Sequence, residues 1–150
     1  MGNLDELNST LGIIRSMANK NLAKRLLEIQ QNIFSIQANI FYIIINRKKE
    51  APKFESEKTT NLEKEIAEIE KLFPPQKKFI IPGESPLPAW LDLARTTTRK
   101  VERSAFVFNK TKKIPKEILS YLNRLSSLFF AMARQEARVE GVRENNPQYK

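Results

Sequence analysis

Two arginines and a glutamate in one short stretch carry the clearest chemical signal of this sequence. Arg95, Arg99 and Glu102 are spaced by four and then three residues, which places them on one face of a helix. Two guanidinium groups one turn apart can bind a polyphosphate, and a carboxylate one turn further can orient them. Lys100 and Arg103 lie beside this stripe. The alternative is a solvated surface with weak ion pairs, which is the commoner role of charge on a helix.

The missing residue types narrow the chemistry. The 150 residues include no cysteine and no histidine, so neither a thiolate metal site nor an imidazole general base can be present. The lack of cysteine favours a reducing, cytoplasmic location. The formal net charge of +9 indicates an anionic partner or solvent-facing lysines. A nucleoside triphosphate fits a local basic cluster, whereas no nucleic-acid-binding motif is present and glutamates are interleaved with the basic residues.

A helical scaffold positions the stripe, because apolar residues recur at intervals of three and four along most of the chain. We predict five helices. The first is capped by Asn3 or Asp5 and runs to about residue 18, and the second and third cover 21–46 and 61–73. The fourth runs from 85 or 86 to a turn at 109–113, and the fifth begins at Pro115. The expected inward positions are Leu4, Leu7, Leu11, Ile14; Leu22, Leu26, Ile29, Ile33, Ile36, Ile40, Ile43; Leu62, Ile66, Ile69, Phe73; Leu91, Ala94, Thr98, Val101, Ala105, Phe108; Ile118, Leu122, Leu125, Phe129 and Met132. This pattern predicts one all-α domain over residues 1–150, an up-and-down helical bundle.

Four segments carry more specific expectations. Residues 40–45 are apolar on all sides and belong either at the bundle centre or at a subunit interface, while the amides within the same helix argue against a membrane span. Residues 76–85 lack a helical period and read as a functional loop, in which Phe79-Ile80-Ile81 covers a site or plugs the bundle end. Asn123 lies beside an apolar seam and needs a partner, either a backbone group or a bound ligand. The polar tail is expected to fray after Gly141.

Three blocks of the sequence form a recognisable series. Residues 4–9 read Leu-Asp-Glu-Leu-Asn-Ser. Residues 82–85 read Pro-Gly-Glu-Ser, and residues 94–103 read Ala-Arg-Thr-Thr-Thr-Arg-Lys-Val-Glu-Arg. Residues 121–126 read Tyr-Leu-Asn-Arg-Leu-Ser. In this order the blocks resemble the PduO-type ATP:cob(I)alamin adenosyltransferases, which have a Pro-Gly-x-Ser loop followed by Ala-Arg-Thr-x-x-Arg-Arg-Ala-Glu-Arg, and with which the first and last blocks also agree.

The resemblance implies a reaction and an assembly. The 5′-deoxyadenosyl group of ATP moves to the cobalt(I) of reduced cobalamin, and triphosphate is released. The family forms a homotrimer with active sites between subunits, and a cobalamin reductase is a candidate partner. The implied catalytic residues are Arg95 and Arg99, with Asp5 pairing with Arg95 across a subunit boundary.

The resemblance also implies binding residues and cofactors. The residues matching the family's ATP site are Arg95, Arg99, Lys100, Glu102 and Asn123. Phe79 falls where the family places an aromatic ring against the lower face of the corrin. Magnesium is implied beside the triphosphate, where Glu102 either orients an arginine or reaches the metal, and no dedicated metal site is expected.

The family pattern is not matched everywhere. A Thr- and Gly-rich segment that wraps the triphosphate precedes the first block in the family, whereas Met1-Gly2-Asn3-Leu4 directly precedes Asp5 here. Three explanations are open: the sequence is truncated, its start is misassigned, or it has lost part of the nucleotide site. Two other functions fit the residues: a non-catalytic relative that binds cobalamin or nucleotide, and a basic helical interaction module whose binding would depend steeply on salt.

Overall fold

Five α-helices account for most of residues 1–149, the part of the chain that the computed structural model describes. They are α1 (Gly2–Met17), α2 (Lys20–Ile44), α3 (Glu57–Leu72), α4 (Pro86–Thr111) and α5 (Lys116–Val139), with a short 3-10 turn at Lys48–Glu50. The predicted all-α fold of five helices is confirmed. α3 begins earlier than predicted, and α4 continues through most of the predicted turn at 109–113.

The helix starts follow local capping chemistry only in part. The side chain of Asn19 accepts a hydrogen bond of 3.0 Å from the backbone N–H of Leu22 and so caps α2. α1 begins at Gly2 without a side-chain cap, so the predicted caps at Asn3 and Asp5 are wrong. Both residues lie inside the first turns, where the Asp5 carboxylate suits the positive end of the helix dipole.

Cross-links between helices define how they are arranged. α1 is antiparallel to α2 and α4, and α4 is antiparallel to α5, whereas α3 runs parallel to α5 and antiparallel to α2. Two links for each pair of helices give these directions: Gln30 with the Asn8 carbonyl and Gln37 with Asp5; Lys100 with Glu6 and Asn3 with Ser104; Arg134 with Asp92 and Asn123 with Glu102; Arg124 with Glu63 and Arg138 with the Pro74 carbonyl; Arg25 with Glu65 and Lys58 with Asn32. This order places α4 between α1 and α5, so each flank of α4 faces a different helix.

The core lies along the predicted seams. Every expected inward position of α1, α2 and α5 is buried, and so are those of α4 except Phe108, which is half-buried. α3 buries Leu62 and Ile69 and leaves Ile66 and Phe73 partly covered. The periodicity predicted these positions because an apolar stripe at intervals of three and four faces a single direction from a helix.

The apolar run at the end of α2 does not lie at the bundle centre. Ile40 and Ile43 are buried, but Phe41, Ile44 and Ile45 are 51%, 45% and 40% exposed. A helix at the edge of a bundle has only one covered side, so a run of six apolar residues must present part of itself outward. Of the two predicted locations, only a subunit interface is compatible with this exposure.

The tail after α5 is ordered, and the prediction that it frays is wrong. Gly141 adopts a left-handed backbone with φ of 70°, and the N–H of Val142 donates to the carbonyl of Ala137 over 2.8 Å. This is the hydrogen bond of a Schellman motif, which ends a helix and reverses the chain. The tail then runs back beside the loop at 73–85. Among the described residues, no helix has the length and apolar content needed to cross a membrane.

Candidate functional site

A cavity of about 740 Å³ opens between α4, α5 and the loop that precedes α4. Five cationic side chains line it, namely Lys77, Lys78, Arg95, Arg99 and Arg134, against two carboxylates, Glu70 and Asp92. The excess of positive charge favours an anionic ligand. The loop adds apolar surface to the same cavity through Phe79, Ile80 and Pro82. The cavity therefore suits a ligand that is both anionic and apolar.

Arg95 and Arg99 face this cavity one helical turn apart, as their spacing predicted. Arg95 is half-buried, and its guanidinium carbon lies 5.6 Å from the ring centroid of Phe130 on α5, close enough for a cation–π contact. Arg99 is exposed. Within residues 1–149 neither guanidinium has a carboxylate within 4.0 Å. Two arginines without acidic partners in one cavity are available to bind phosphate oxygens.

Phe79 extends from the loop into the mouth of the same cavity. Its side chain is 77% exposed, so the ring makes little contact with the rest of the chain. Its backbone carbonyl is held by the side chain of Asn146, which donates a hydrogen bond of 2.8 Å. Two roles were predicted for Phe79-Ile80-Ile81. The prediction that they fill the end of the bundle is wrong for Phe79, because its exposed ring does not pack into the core. The ring is instead available to an apolar ligand surface.

Two residues that line the cavity, Asp92 and Arg134, belong to a buried charge cluster. The guanidinium of Arg134 donates to both carboxylate oxygens of Asp92 over 3.2 and 2.5 Å, and its Nε lies 2.6 Å from Oε1 of Glu144. Its carbon also lies 5.0 Å from the Phe130 ring centroid. Burial raises the pKa of Glu144, and Arg134 opposes that change.

The residue pattern of the sequence did not reveal this cluster or the Phe130 ring. Arg134 is 4% exposed, although arginine is seldom buried without partners. Asp92 and Arg134 both lie beside the inward seams of their helices. A charged residue in such a position was the sequence feature that could have indicated a buried ion pair. Their pairing could not be read from the sequence, because it depends on the register of α4 against α5.

Glu102 and Asn123 meet further along the same α4–α5 groove. The side chain of Asn123 donates to the Glu102 carboxylate over 2.8 Å. The partner of Asn123 in this chain is therefore neither of the two predicted, a backbone group or a ligand. The antiparallel packing of α4 and α5 brings the two side chains together. Glu102 here orients an amide rather than an arginine.

Lys100 lies on the flank of α4 that faces α1, and Asp5 lies on α1 itself. Asp5 accepts a hydrogen bond from Gln37 of α2, and Nζ of Lys100 lies 2.7 Å from a carboxylate oxygen of Glu6. Neither lines the cavity of Arg95 and Arg99. A single chain thus joins Phe79, Arg95 and Arg99 but does not bring Asp5 to Arg95.

The carboxylates of the described residues form no cluster of three or more that could hold a metal ion. This arrangement is compatible with magnesium that enters with a nucleotide, since Mg²⁺ takes most of its ligands from phosphates and water and needs only one or two carboxylates. Glu70 is the cavity carboxylate without an ion-pair partner among residues 1–149.

Comparisons with known proteins agree on one family. A family model described as cobalamin adenosyltransferase matches residues 1–136. A corrinoid adenosyltransferase from Bacillus subtilis is 36% identical over 138 residues, covering 89% of this chain and 70% of the relative. The corrinoid adenosyltransferase PduO from Citrobacter freundii is 32% identical over 90% of this chain and 41% of the relative.

Solved structures give the same result. A variant of the PduO-type ATP:corrinoid adenosyltransferase from Lactobacillus reuteri, complexed with cobalamin and ATP, superposes with a TM-score of 0.89 at 33% identity. The match covers 98% of this chain and 81% of that one. A second variant of the same enzyme, complexed with ATP, superposes with a TM-score of 0.82 at 32% identity.

Proposed function

This chain belongs to the cobalamin adenosyltransferase family, and we propose that it transfers the 5′-deoxyadenosyl group of ATP to the cobalt of reduced cobalamin. The observation that carries the proposal is the convergence of Phe79, Arg95 and Arg99 on one cavity. Arg95 and Arg99 offer donors for a triphosphate, and the exposed ring of Phe79 offers an apolar surface to the corrin. The related Lactobacillus reuteri enzyme of known structure is complexed with ligands of these two chemistries, ATP and cobalamin.

The reaction asks little of the protein in the way of acid–base chemistry. Cobalt(I) supplies the electron pair that forms the bond to the 5′ carbon, and the carbon–oxygen bond breaks with its electrons passing to triphosphate. No side chain need act as nucleophile or base, which suits a chain without histidine or cysteine. The protein contributes position and charge stabilisation. We assign these to Arg95 and Arg99, which hold the triphosphate as negative charge develops on it.

Magnesium fits this site as an ion that accompanies ATP. It would neutralise part of the triphosphate charge, and Glu70 is the cavity carboxylate free to approach it.

We also propose a cytoplasmic location for the reaction, which the lack of cysteine supports.

We further propose a homotrimer in which Asp5 reaches Arg95 of a neighbouring copy. An exposed apolar stripe runs along α2 and ends just past it, formed by Leu27, Phe34, Phe41 and Ile45. It supports a subunit contact, because exposed apolar patches mark interaction surfaces. Phe41 lies one turn from Gln37, which binds Asp5. A neighbour seated on the stripe would therefore lie close to Asp5.

The test compares Arg99→Ala with Arg103→Ala, an exposed arginine one turn further that does not line the cavity. Each protein is incubated with ATP, magnesium and chemically reduced cobalamin, and adenosylcobalamin is followed by absorbance. Arg99→Ala is expected to lose about 2–4 kcal/mol of transition-state stabilisation, roughly 30- to 1,000-fold in kcat/KM. Arg103→Ala should retain activity.

Two results would contradict the proposal. If Arg99→Ala retained the same activity as Arg103→Ala, Arg99 would not be a residue that binds the triphosphate. ATP binding by the unmodified chain without turnover would identify a non-catalytic relative instead. Thermal unfolding of each variant serves as the control, and the melting temperature should not change, because Arg99 is exposed and makes no ion pair among residues 1–149.

A further inference from the structure

The tail after α5 is hydrogen-bonded along the loop that carries Phe79. The side chain of Asn146 donates to the Phe79 carbonyl over 2.8 Å. The backbone N–H of Ile81 donates to the Asn145 carbonyl over 2.8 Å, in an isolated antiparallel bridge. The side chain of Asn145 donates to Glu84 over 2.5 Å. Three hydrogen bonds thus join a short stretch of tail to a loop without regular structure of its own.

The same tail is anchored to Arg134, which lines the cavity. The Glu144 side chain is 6% exposed and lies beside Arg134, whose guanidinium is fixed by Asp92. At the start of the tail, Glu140 accepts a hydrogen bond from Ser85, the residue before α4. The tail is therefore tied to α4, to α5 and to the loop at once.

The loop has few other contacts that could fix its shape. Phe79 and Ile81 are exposed, as are residues 74–78 and 82–84. An exposed segment with little buried apolar surface has low local stability, so the position of the Phe79 ring depends on what holds its backbone.

We propose that residues 140–146 form a strap that positions the Phe79 loop, with Asn146 and Glu144 as positioning residues. This inference rests on the proposed function in one respect, the role of Phe79 towards cobalamin. Asn146 sets the Phe79 carbonyl, and Glu144 fixes the tail on Arg134. A loosened strap leaves the arginines in place on α4, so it impairs the use of cobalamin and spares ATP.

The first test needs no substrate. Hydrogen exchange at the Ile81 amide is measured in the free protein, in Asn146→Ala and in Gln148→Ala, an exposed tail residue two positions away. Loss of the Asn146 hydrogen bond is expected to raise exchange at Ile81 about fivefold, with no change in Gln148→Ala. Glu144→Gln, which removes the charge but keeps the shape, should release the same amide. Unchanged exchange in both Asn146→Ala and Glu144→Gln would overturn the strap.

The second test uses turnover. Asn146→Ala is expected to raise the KM for cobalamin about fivefold, in proportion to the loop opening, and to leave the KM for ATP unchanged. An unchanged KM for cobalamin, or an equal rise for both substrates, would overturn the positioning role. If the unmodified protein has no activity, the proposed function fails, and the exchange experiment still decides whether the strap holds the loop.

Discussion

Tyr121 allows a quantitative test of how α2 is joined to α5. Its side chain is fully buried, and its hydroxyl accepts a hydrogen bond of 3.1 Å from Asn32 of α2. The Phe54 ring meets it edge-on, with centroids 5.2 Å apart. Burial raises the pKa of Tyr121 from 10.0 to about 12, with the Asn32 hydrogen bond acting in the opposite direction.

The sign of the pH dependence follows from this difference. The unfolded chain loses the Tyr121 proton near pH 10, whereas the folded chain keeps it until about pH 12. Rising pH in this window therefore stabilises the unfolded state. The free energy of unfolding should fall by about 1.4 kcal/mol at pH 11 and by roughly 2.7 kcal/mol well above pH 12 from this group alone.

Tyr121→Phe removes both the hydrogen bond and this titration. Near pH 8 the variant should be less stable by about 1 kcal/mol, because the Asn32 donor loses its acceptor. Since the variant does not lose stability through this titration, the two curves of unfolding free energy against pH should cross at about pH 11. Urea unfolding at several pH values from 8 upward measures the difference in unfolding free energy between the two proteins. The titration of groups common to both proteins cancels in this difference. Parallel curves across this range would refute the reasoning.

Two further predictions concern the buried charges and the apolar stripe. Asp92→Ala leaves the buried guanidinium of Arg134 with Glu144 as its one carboxylate partner, so the free energy of unfolding in urea should fall by about 3 kcal/mol, the low end for breaking a buried pair. Asp92→Asn should lose less stability. A loss as small as that of a surface ion pair would contradict the assignment. Phe41→Asp places a charge on an exposed apolar stripe, so it should lower the mass measured by sedimentation equilibrium without unfolding the chain. An unchanged mass would exclude the stripe as a subunit contact.

The local parts of the structure could be predicted from the sequence because they depend on neighbours along the chain. The four-residue spacing of Arg95 and Arg99 places both on one side of any helix that contains them. The inward seams followed from periodicity in the same way. The cap of α1 and the tail were predicted wrongly, since the first begins without a capping side chain and the second is held by contacts distant in sequence.

The resemblance supplied what spacing could not. Spacing alone favoured a solvated surface for the arginine stripe, and only the three matching blocks indicated a nucleotide and a corrin. The comparisons confirm the family, the fold and the kind of reaction. The individual roles of all the site residues, Arg95, Arg99 and Phe79 included, stay predictions. Within one chain Asp5, Lys100, Glu102 and Asn123 lie outside the cavity of Arg95 and Arg99.

The sequence by itself therefore determined the helices, their buried faces and the pair of arginines, since each depends on a period of 3.6 residues. The tertiary structure alone decided that Phe79 lines the same cavity as those arginines, that Glu102 meets Asn123, and that Glu144 pairs with Arg134. Each of these contacts joins segments far apart in the chain. Their geometry depends on the register of α4 against α5 and on the reversal at Gly141, and neither depends on residue spacing within one element.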